Sequence, residues 1–270
     1  NSYFTTLIVS FTISLFLILF GKKSKKRVNF IEQLILIILV YLLVSFFIAL
    51  PFYLSNYQVT FLNSLFESIS GITGTGFSIF KDIKYLDPTL ILWRSSSQWI
   101  GGLYFLFFLI LIFSNKQFNY KMNSLTYSGD GIVNSESNIK DLLLRIFILY
   151  CILSFIIFLL LSISEVRLFN SLNLSMSLVS SGGFMPTDSL DKIIQSNLQK
   201  LIFIFSLLIS MLNFFLILNI FEKKIIIREH KEDFYLIILS FIFILLVYLN
   251  NYSGLNIVIS VLSSLSNSGL

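Results

Sequence analysis

Cysteine, histidine and charged residues are scarce in this sequence, and each shortage excludes a class of protein. The 270 residues contain one cysteine, Cys151, and one histidine, His230, so an internal disulfide and a metal site built from histidine and cysteine are excluded. The same shortage argues against a catalytic triad. Only 12% of the residues are charged, against about 25% in soluble domains. The chain therefore cannot cover a water-facing surface, and we predict a membrane protein that is not an enzyme.

Apolar residues are abundant, at 56% of the chain, and they are grouped into long runs. A helix needs about 20 apolar residues to cross the hydrocarbon core of a bilayer. Six segments meet or approach that length: 3–20, 30–54, 89–113, 142–163, 198–221 and 234–250. The first run lacks the basic start and the cleavage site of a signal peptide, so we predict a span there too. The predicted class is an all-α polytopic membrane protein in contact with lipid.

Basic residues are concentrated in alternate connections between these runs. The stretch GKKSKKR at 21–27 has five basic residues, EKKIIIREHKED at 222–233 has four, and the linker 114–141 adds three lysines. These three connections lie on one side if the spans alternate, and the positive-inside rule makes that side the cytoplasm. The net charge of +5 thus reflects orientation, and no nucleic-acid partner is predicted.

A motif rich in glycine, serine and threonine occurs three times, each time after an apolar run. The three copies are FLNSLFESISGITGTGF at 61–77, LFNSLNLSMSLVSSGGF at 168–184 and LNIVISVLSSLSNSGL at 255–270. Their last glycines align at Gly76, Gly183 and Gly269. A short helix and an irregular turn between two spans are typical of a re-entrant pore loop, since irregular backbone at membrane depth needs protein or water around it. The alternative is three extracellular loops that are alike by chance.

The end of each copy offers main-chain oxygens for a cation. Carbonyl oxygens can replace the hydration shell of an ion, and glycine readily adopts the backbone angles that turn them inward. The negative C-terminal ends of the short helices favour a cation as well. The candidate ion-binding residues are Thr73, Gly74, Thr75, Gly76, Ser180, Ser181, Gly182, Gly183, Ser266, Asn267, Ser268 and Gly269. Gly74 is a rival to Gly76 as the aligned glycine of the first loop.

Several stretches in combination point to a known family. They are LFESISGITGTGF at 65–77, LWRSSSQWIGG at 92–102, LVSSGGFMPTD at 178–188, LISMLNFFLIL at 208–218 and LSSLSNSGL at 262–270. Together they resemble the membrane pore subunit of the Trk/Ktr/HKT superfamily of potassium transporters. The resemblance implies four helix–pore loop–helix repeats around a pseudo-fourfold pore. About two and a half repeats are present here, and the third stops at its filter glycine, so we expect a truncated copy or a fragment.

The resemblance also implies a division of the chain. It gives an extra N-terminal transmembrane helix and basic loop at 1–28, repeat 1 at 29–115 with its pore loop at 61–80, a cytoplasmic linker at 116–140, repeat 2 at 141–222 with its pore loop at 168–187, and a partial repeat 3 at 223–270.

The implied function is potassium uptake across the bacterial cytoplasmic membrane by gated permeation, with K⁺ at the filter residues and no covalent cofactor. Some sodium-preferring plant relatives have serine at the position of Gly76, so glycine there favours potassium. The implied partners are a second copy in a homodimer and a cytosolic nucleotide-binding regulatory subunit. The alternatives are a secondary transporter for another solute, with discontinuous helices at its binding site, and a scaffold without flux.

Three polar residues fall within apolar segments. Glu67 lies in the first short helix and Arg94 near the outer start of the next span, and an ionisable residue at membrane depth indicates function. We expect the two to pair and brace the filter from behind, or else to reach interfacial water separately. Asn213 falls in the middle of the run 198–221, where an interhelical hydrogen bond is expected and a position lining the pore is the alternative.

Overall fold

The structure is a computed structural model that describes residues 2–22, 29–113, 136–221, 231–249 and 254–270. Over these ranges it contains ten α-helices and no β-strand, which confirms the predicted all-α class. The helices are α1 Ser2–Gly21, α2 Phe30–Tyr53, α3 Phe61–Ile72, α4 Pro88–Phe113, α5 Glu136–Ile163, α6 Leu168–Val179, α7 Asn197–Met211, α8 Phe214–Phe221, α9 Lys231–Leu249 and α10 Leu255–Leu265.

Five of the described helices, α1, α2, α4, α5 and α9, are long and apolar enough to cross a membrane. They coincide with five of the six predicted runs. Their outward faces carry exposed leucine, isoleucine and phenylalanine, and on α1 only Thr6 is buried. Such surfaces suit lipid and not water.

The predicted span 198–221 is not one straight helix, because it breaks into α7 and α8 with a bend of 96°. Asn213 lies at the break, and its side-chain Oδ1 accepts a hydrogen bond from the Phe215 N–H at 2.9 Å, which caps the start of α8. The main-chain N–H of Asn213 donates to Asp233 Oδ1 on α9 at 2.7 Å. The expected interhelical bond therefore comes from the backbone, and the asparagine side chain acts locally.

Three short helices lie between the spans. The helices α3, α6 and α10 have 12, 12 and 11 residues, too few to cross a bilayer. Helix α3 contacts α2 and α4, α6 contacts α4 and α5, and α10 contacts α7 and α9. The neighbouring spans thus hold each short helix inside the bundle, as the pore-loop interpretation requires.

The apolar core connects the second and third short helices. Leu174 and Leu178 of α6, Phe203 and Leu207 of α7, and Leu262 of α10 belong to one buried cluster. Each of these side chains is at most 1% exposed. Since α7 lies between α6 and α10, it fixes the relative position of the two loops that follow them.

The basic stretches that determine the predicted orientation lie largely outside the described residues. Segments 23–28, 114–135 and 222–230, which includes His230, are among those not described. The cytoplasmic placement of these connections and the linker at 116–140 stay predictions.

Candidate cation pathway

The three loops that follow the short helices share one backbone conformation. Positive φ angles occur at the aligned glycine and two residues before it: Gly74 (68°) and Gly76 (79°), Ser181 (52°) and Gly183 (78°), Asn267 (58°) and Gly269 (63°). Left-handed angles are costly for residues with a Cβ. Their recurrence at a serine and an asparagine therefore indicates that the surrounding structure holds the backbone of these loops in this conformation. The backbone thus pairs Gly76, and not Gly74, with the glycines of the other loops.

A serine six residues before each aligned glycine closes the end of each short helix. Its carbonyl accepts a main-chain bond in every loop: from Thr75 N to Ser70 O at 3.0 Å, from Gly182 N to Ser177 O at 2.9 Å, and from Ser268 N to Ser263 O at 3.1 Å. The Ser70 hydroxyl also donates to the Phe77 carbonyl at 2.6 Å, and the Ser263 hydroxyl donates to the Leu270 carbonyl at 2.9 Å. Sequence reasoning missed this serine, although the same alignment carries it.

The loops meet one another at their glycines. A Cβ atom built on Gly76 would lie 2.7 Å from the carbonyl oxygen of Gly182, and one built on Gly183 would overlap the carbonyl oxygen of Ser268. One built on Gly74 would lie 3.7 Å from the Ser180 carbonyl oxygen. The main chains of the first and second loops, and of the second and third, are therefore in direct contact. The structure brings the predicted residues of all three loops to one place.

A cavity of about 210 Å³ lies at the ends of the short helices. All three loops line it, through Thr73 and Gly74, Ser180 and Ser181, and Asn267. The C-terminal ends of α3, α6 and α10 thus share one space, where their partial negative charges add and favour a cation. The lining residues Thr73, Ser180 and Ser181 carry hydroxyl groups.

Helix α4 contacts the first two loops through adjacent glycines. A Cβ on Gly101 would overlap the main chain of Ile72, the last residue of α3, and a Cβ on Gly102 would lie 2.9 Å from Ser180 Cβ. The Ile72 carbonyl also accepts a hydrogen bond from the Tyr41 hydroxyl at 2.9 Å. Two glycines in sequence therefore let one helix pack tightly against the cavity wall on both sides.

Glu67 and Arg94 form a buried ion pair behind the first loop. Arg94 Nε donates to Glu67 Oε1 at 2.7 Å, and the two side chains are 1% and 0% exposed. Glu67 also accepts hydrogen bonds from the Ser78 hydroxyl at 3.0 Å and the Ile79 N–H at 2.8 Å. The Arg94 guanidinium lies 4.2 Å from the centre of the Phe184 ring, just past the second loop. The pair thus contacts the outer segment of the first loop and touches the second.

Asp188 connects the outer segments of the first two repeats. Its Oδ2 accepts a hydrogen bond from Lys192 Nζ at 3.0 Å, and its Oδ1 accepts one from the Ile83 N–H at 2.7 Å. The Lys192 ammonium holds the pKa of the Asp188 carboxyl below its usual range, and main-chain N–H donors add to the effect. Sequence reasoning placed Asp188 within a motif but gave it no function.

Acidic side chains are too dispersed to form a metal site in the part of the chain that the structure describes. Within the described ranges, no group of three or more histidine, cysteine, aspartate or glutamate residues could hold a metal ion.

Three short helices, each followed by the same left-handed turn and arranged around one cavity between membrane spans, define a membrane protein of the pore-loop class. The chain matches the TrkH family of cation transport proteins over residues 2–263, and it belongs to that family. The resemblance to potassium transporters found in the sequence is thereby confirmed, as is the multi-pass placement in the cytoplasmic membrane.

Similar proteins cover the chain in part or in whole. An uncharacterized cation transporter of Methanocaldococcus jannaschii is 29% identical over 185 residues, which are 68% of this chain and 38% of that protein. The Trk system potassium uptake protein TrkI of Halomonas elongata is 39% identical over 72 residues, 27% of this chain and 15% of that protein. The corresponding protein TrkG of Escherichia coli is 32% identical over 102 residues, 37% of this chain and 21% of that protein.

The crystal structure of the potassium transporter TrkH from Vibrio parahaemolyticus has the same fold. The TM-score is 0.76 at 19% sequence identity, over 98% of this chain and 56% of that chain. The chain thus spans little more than half of the solved structure and 15% to 38% of the curated relatives it matches.

Proposed function

We propose that these residues form part of a potassium uptake protein in which K⁺ passes between the three loops and exchanges its water for main-chain oxygens. The observation that carries the proposal is the shared left-handed backbone at Gly76, Gly183 and Gly269, with the three loops in contact. The twelve residues Thr73–Gly76, Ser180–Gly183 and Ser266–Gly269 supply the candidate filter. The cavity at the helix ends holds the ion on the inner side of the filter.

Potassium as the ion is supported by glycine at position 76 and by the relatives from Halomonas elongata and Escherichia coli, which carry potassium uptake in their names. Helix dipoles aimed at the cavity support a cation of either kind. Discrimination then depends on how firmly the carbonyl groups are held, and the ion pair Glu67–Arg94 braces the first loop.

The further organisation is proposed on the family resemblance. It comprises the repeat boundaries given above, a homodimer in the lipid bilayer, and a cytosolic nucleotide-binding regulatory subunit that gates the pore. No chemical step is assigned, because permeation makes and breaks no covalent bond.

Transport by the complete protein tests this proposal. We expect expression to restore growth at limiting potassium in a cell that lacks its own uptake systems. The purified protein in liposomes should take up radioactive rubidium, and unlabelled K⁺ should compete with the rubidium far better than Na⁺. Absence of cation flux in correctly folded protein would refute the proposal. Uptake driven strictly by a second solute would favour the secondary-transporter alternative.

A further inference from the structure

A glutamine on α4 contacts the second loop from behind. Gln98 is completely buried, at 0% exposure. Its side-chain Nε2 donates to the Gly182 carbonyl, and its Oε1 accepts a hydrogen bond from the Phe184 N–H at 3.0 Å. These two main-chain groups flank Gly183. One side-chain amide therefore fixes both peptide groups around the aligned glycine of the second loop.

In the first and third loops, a serine within the same repeat makes the hydrogen bond to the residue after the aligned glycine that Gln98 makes in the second loop. In the first loop the Ser70 hydroxyl donates to the Phe77 carbonyl at 2.6 Å, and in the third the Leu270 N–H donates to the Ser263 hydroxyl at 2.7 Å. Ser177 is the matching serine of the second loop, and its buried hydroxyl has no hydrogen-bond partner among the described residues. The amide that follows the aligned glycine bonds to the α4 glutamine instead.

The same contact explains the extra glycine of the second loop. Gly182 has no positive φ, and its counterparts in the other loops, Thr75 and Ser268, carry side chains. A Cβ on Gly182 would overlap the side-chain amide of Gln98. Glycine at 182 thus leaves room for the Gln98 amide of the neighbouring helix and is not demanded by the backbone angles.

The contact with Gln98 also fixes the direction in which the Gly183 carbonyl points. In a trans peptide the N–H and the preceding carbonyl point to opposite sides. Because the Phe184 N–H faces Gln98, the Gly183 carbonyl points away from α4. The matching residue of repeat 2 is Leu207, which is the eleventh residue of α7 as Gln98 is the eleventh of α4. Leu207 packs in the apolar cluster with Leu262.

We propose that Gln98 is a specificity-determining positioning residue, through which the first repeat sets the geometry of the second loop and so the discrimination between K⁺ and Na⁺. This inference rests on the proposed function. Gln98 does not touch the ion. It holds the Gly183 carbonyl at a fixed distance from its neighbours, and a loosened carbonyl adapts to the smaller sodium ion.

The variant Gln98→Met in the complete protein tests this assignment, because methionine keeps the length of the side chain and removes both hydrogen bonds. We expect rubidium uptake to persist while its selectivity over Na⁺ falls by about tenfold or more, because each lost buried hydrogen bond has a net effect of up to about tenfold. Gln199→Met is the matched control. Gln199 also bonds main-chain groups on both sides of its amide, at Ser164 O (2.9 Å) and Ser196 N (3.1 Å), but lies on the outer start of α7. Its selectivity should stay within about twofold of the parent.

A second pair of variants keeps the test decisive if Gln98→Met does not fold. Gly182→Ala should lower selectivity in the parent protein, where the new methyl group meets the amide, and should add less than about twofold in a Gln98→Ala background, where it meets open space. Equal effects in both backgrounds, or full selectivity in folded Gln98→Met, would overturn the inference and leave the transport proposal intact. A parent protein that moves no rubidium would refute the transport proposal itself.

Discussion

Substitutions in the ion pair behind the first loop should affect the stability of the fold and the selectivity for ions differently. Glu67 accepts hydrogen bonds from Arg94, Ser78 and Ile79 within the bundle. Glu67→Leu leaves the guanidinium of a side chain that is 1% exposed with Ser78 as its remaining hydrogen-bond acceptor. Removing one partner of a buried pair costs about 3–5 kcal/mol. We expect a loss of that size in the free energy of unfolding, measured by titration with SDS and followed by circular dichroism.

The second repeat suggests the compensating change. Leu174 stands in the same register before Gly183 as Glu67 before Gly76, and Phe203 is the seventh residue of its helix, as Arg94 is of α4. Both apolar side chains are completely buried.

The double variant Glu67→Leu with Arg94→Phe should therefore recover the part of the lost stability that comes from the unpaired buried guanidinium, since a packed apolar pair can replace a buried ion pair. It should not recover selectivity for potassium, because the Ser78 hydroxyl and the Ile79 N–H still lack their acceptor, at about 1–3 kcal/mol each. A double variant no more stable than Glu67→Leu alone would refute this account.

Exchange of the two charges is the informative control. Glu67→Arg with Arg94→Glu keeps an ion pair but places guanidinium donors against the Ile79 N–H, itself a donor. We expect this variant to fold better than either single change and to remain poorly selective. Full selectivity would mean that the pair acts only through its charge.

Four more predictions concern single positions. Gly76→Ser puts a Cβ at a φ of 79° and should reduce the preference of rubidium uptake over Na⁺ by about tenfold, measured in liposomes. Gly101→Ala drives a methyl group into the main chain of Ile72 and should cost about 1–3 kcal/mol of unfolding free energy, whereas Ser181→Gly relieves a left-handed serine and should gain about 1 kcal/mol. Because the pKa of Asp188 is lowered in the fold, its ionised carboxylate stabilises the protein. This stabilisation is present above the unfolded pKa of about 3.9 and is lost as the pH falls through the folded pKa. Asp188→Asn should thus lower the melting temperature more at pH 7 than at pH 3; an equal difference at both would contradict this sign.

Much of the fold follows from the sequence because the bilayer imposes a minimum length on every span. The register of the loops follows as well, since a left-handed turn needs glycine at Gly76, Gly183 and Gly269. The break at Asn213 was not predictable from local sequence, because neither proline nor glycine marks it and its partner Asp233 comes from the next span. The contact of Gln98 with Gly182 joins residues 84 positions apart, and no local pattern reports such a pairing.

The side chains that support the three loops differ, although the three loops share one backbone conformation. The ion pair Glu67–Arg94 supports the first loop. The side-chain amide of Gln98 and leucine side chains support the second loop, and Ser263 with apolar neighbours supports the third. A ring assembled from four identical subunits changes all quadrants with every mutation. In a single polypeptide each loop has its own sequence, so a substitution behind one loop leaves the support of the other two unchanged.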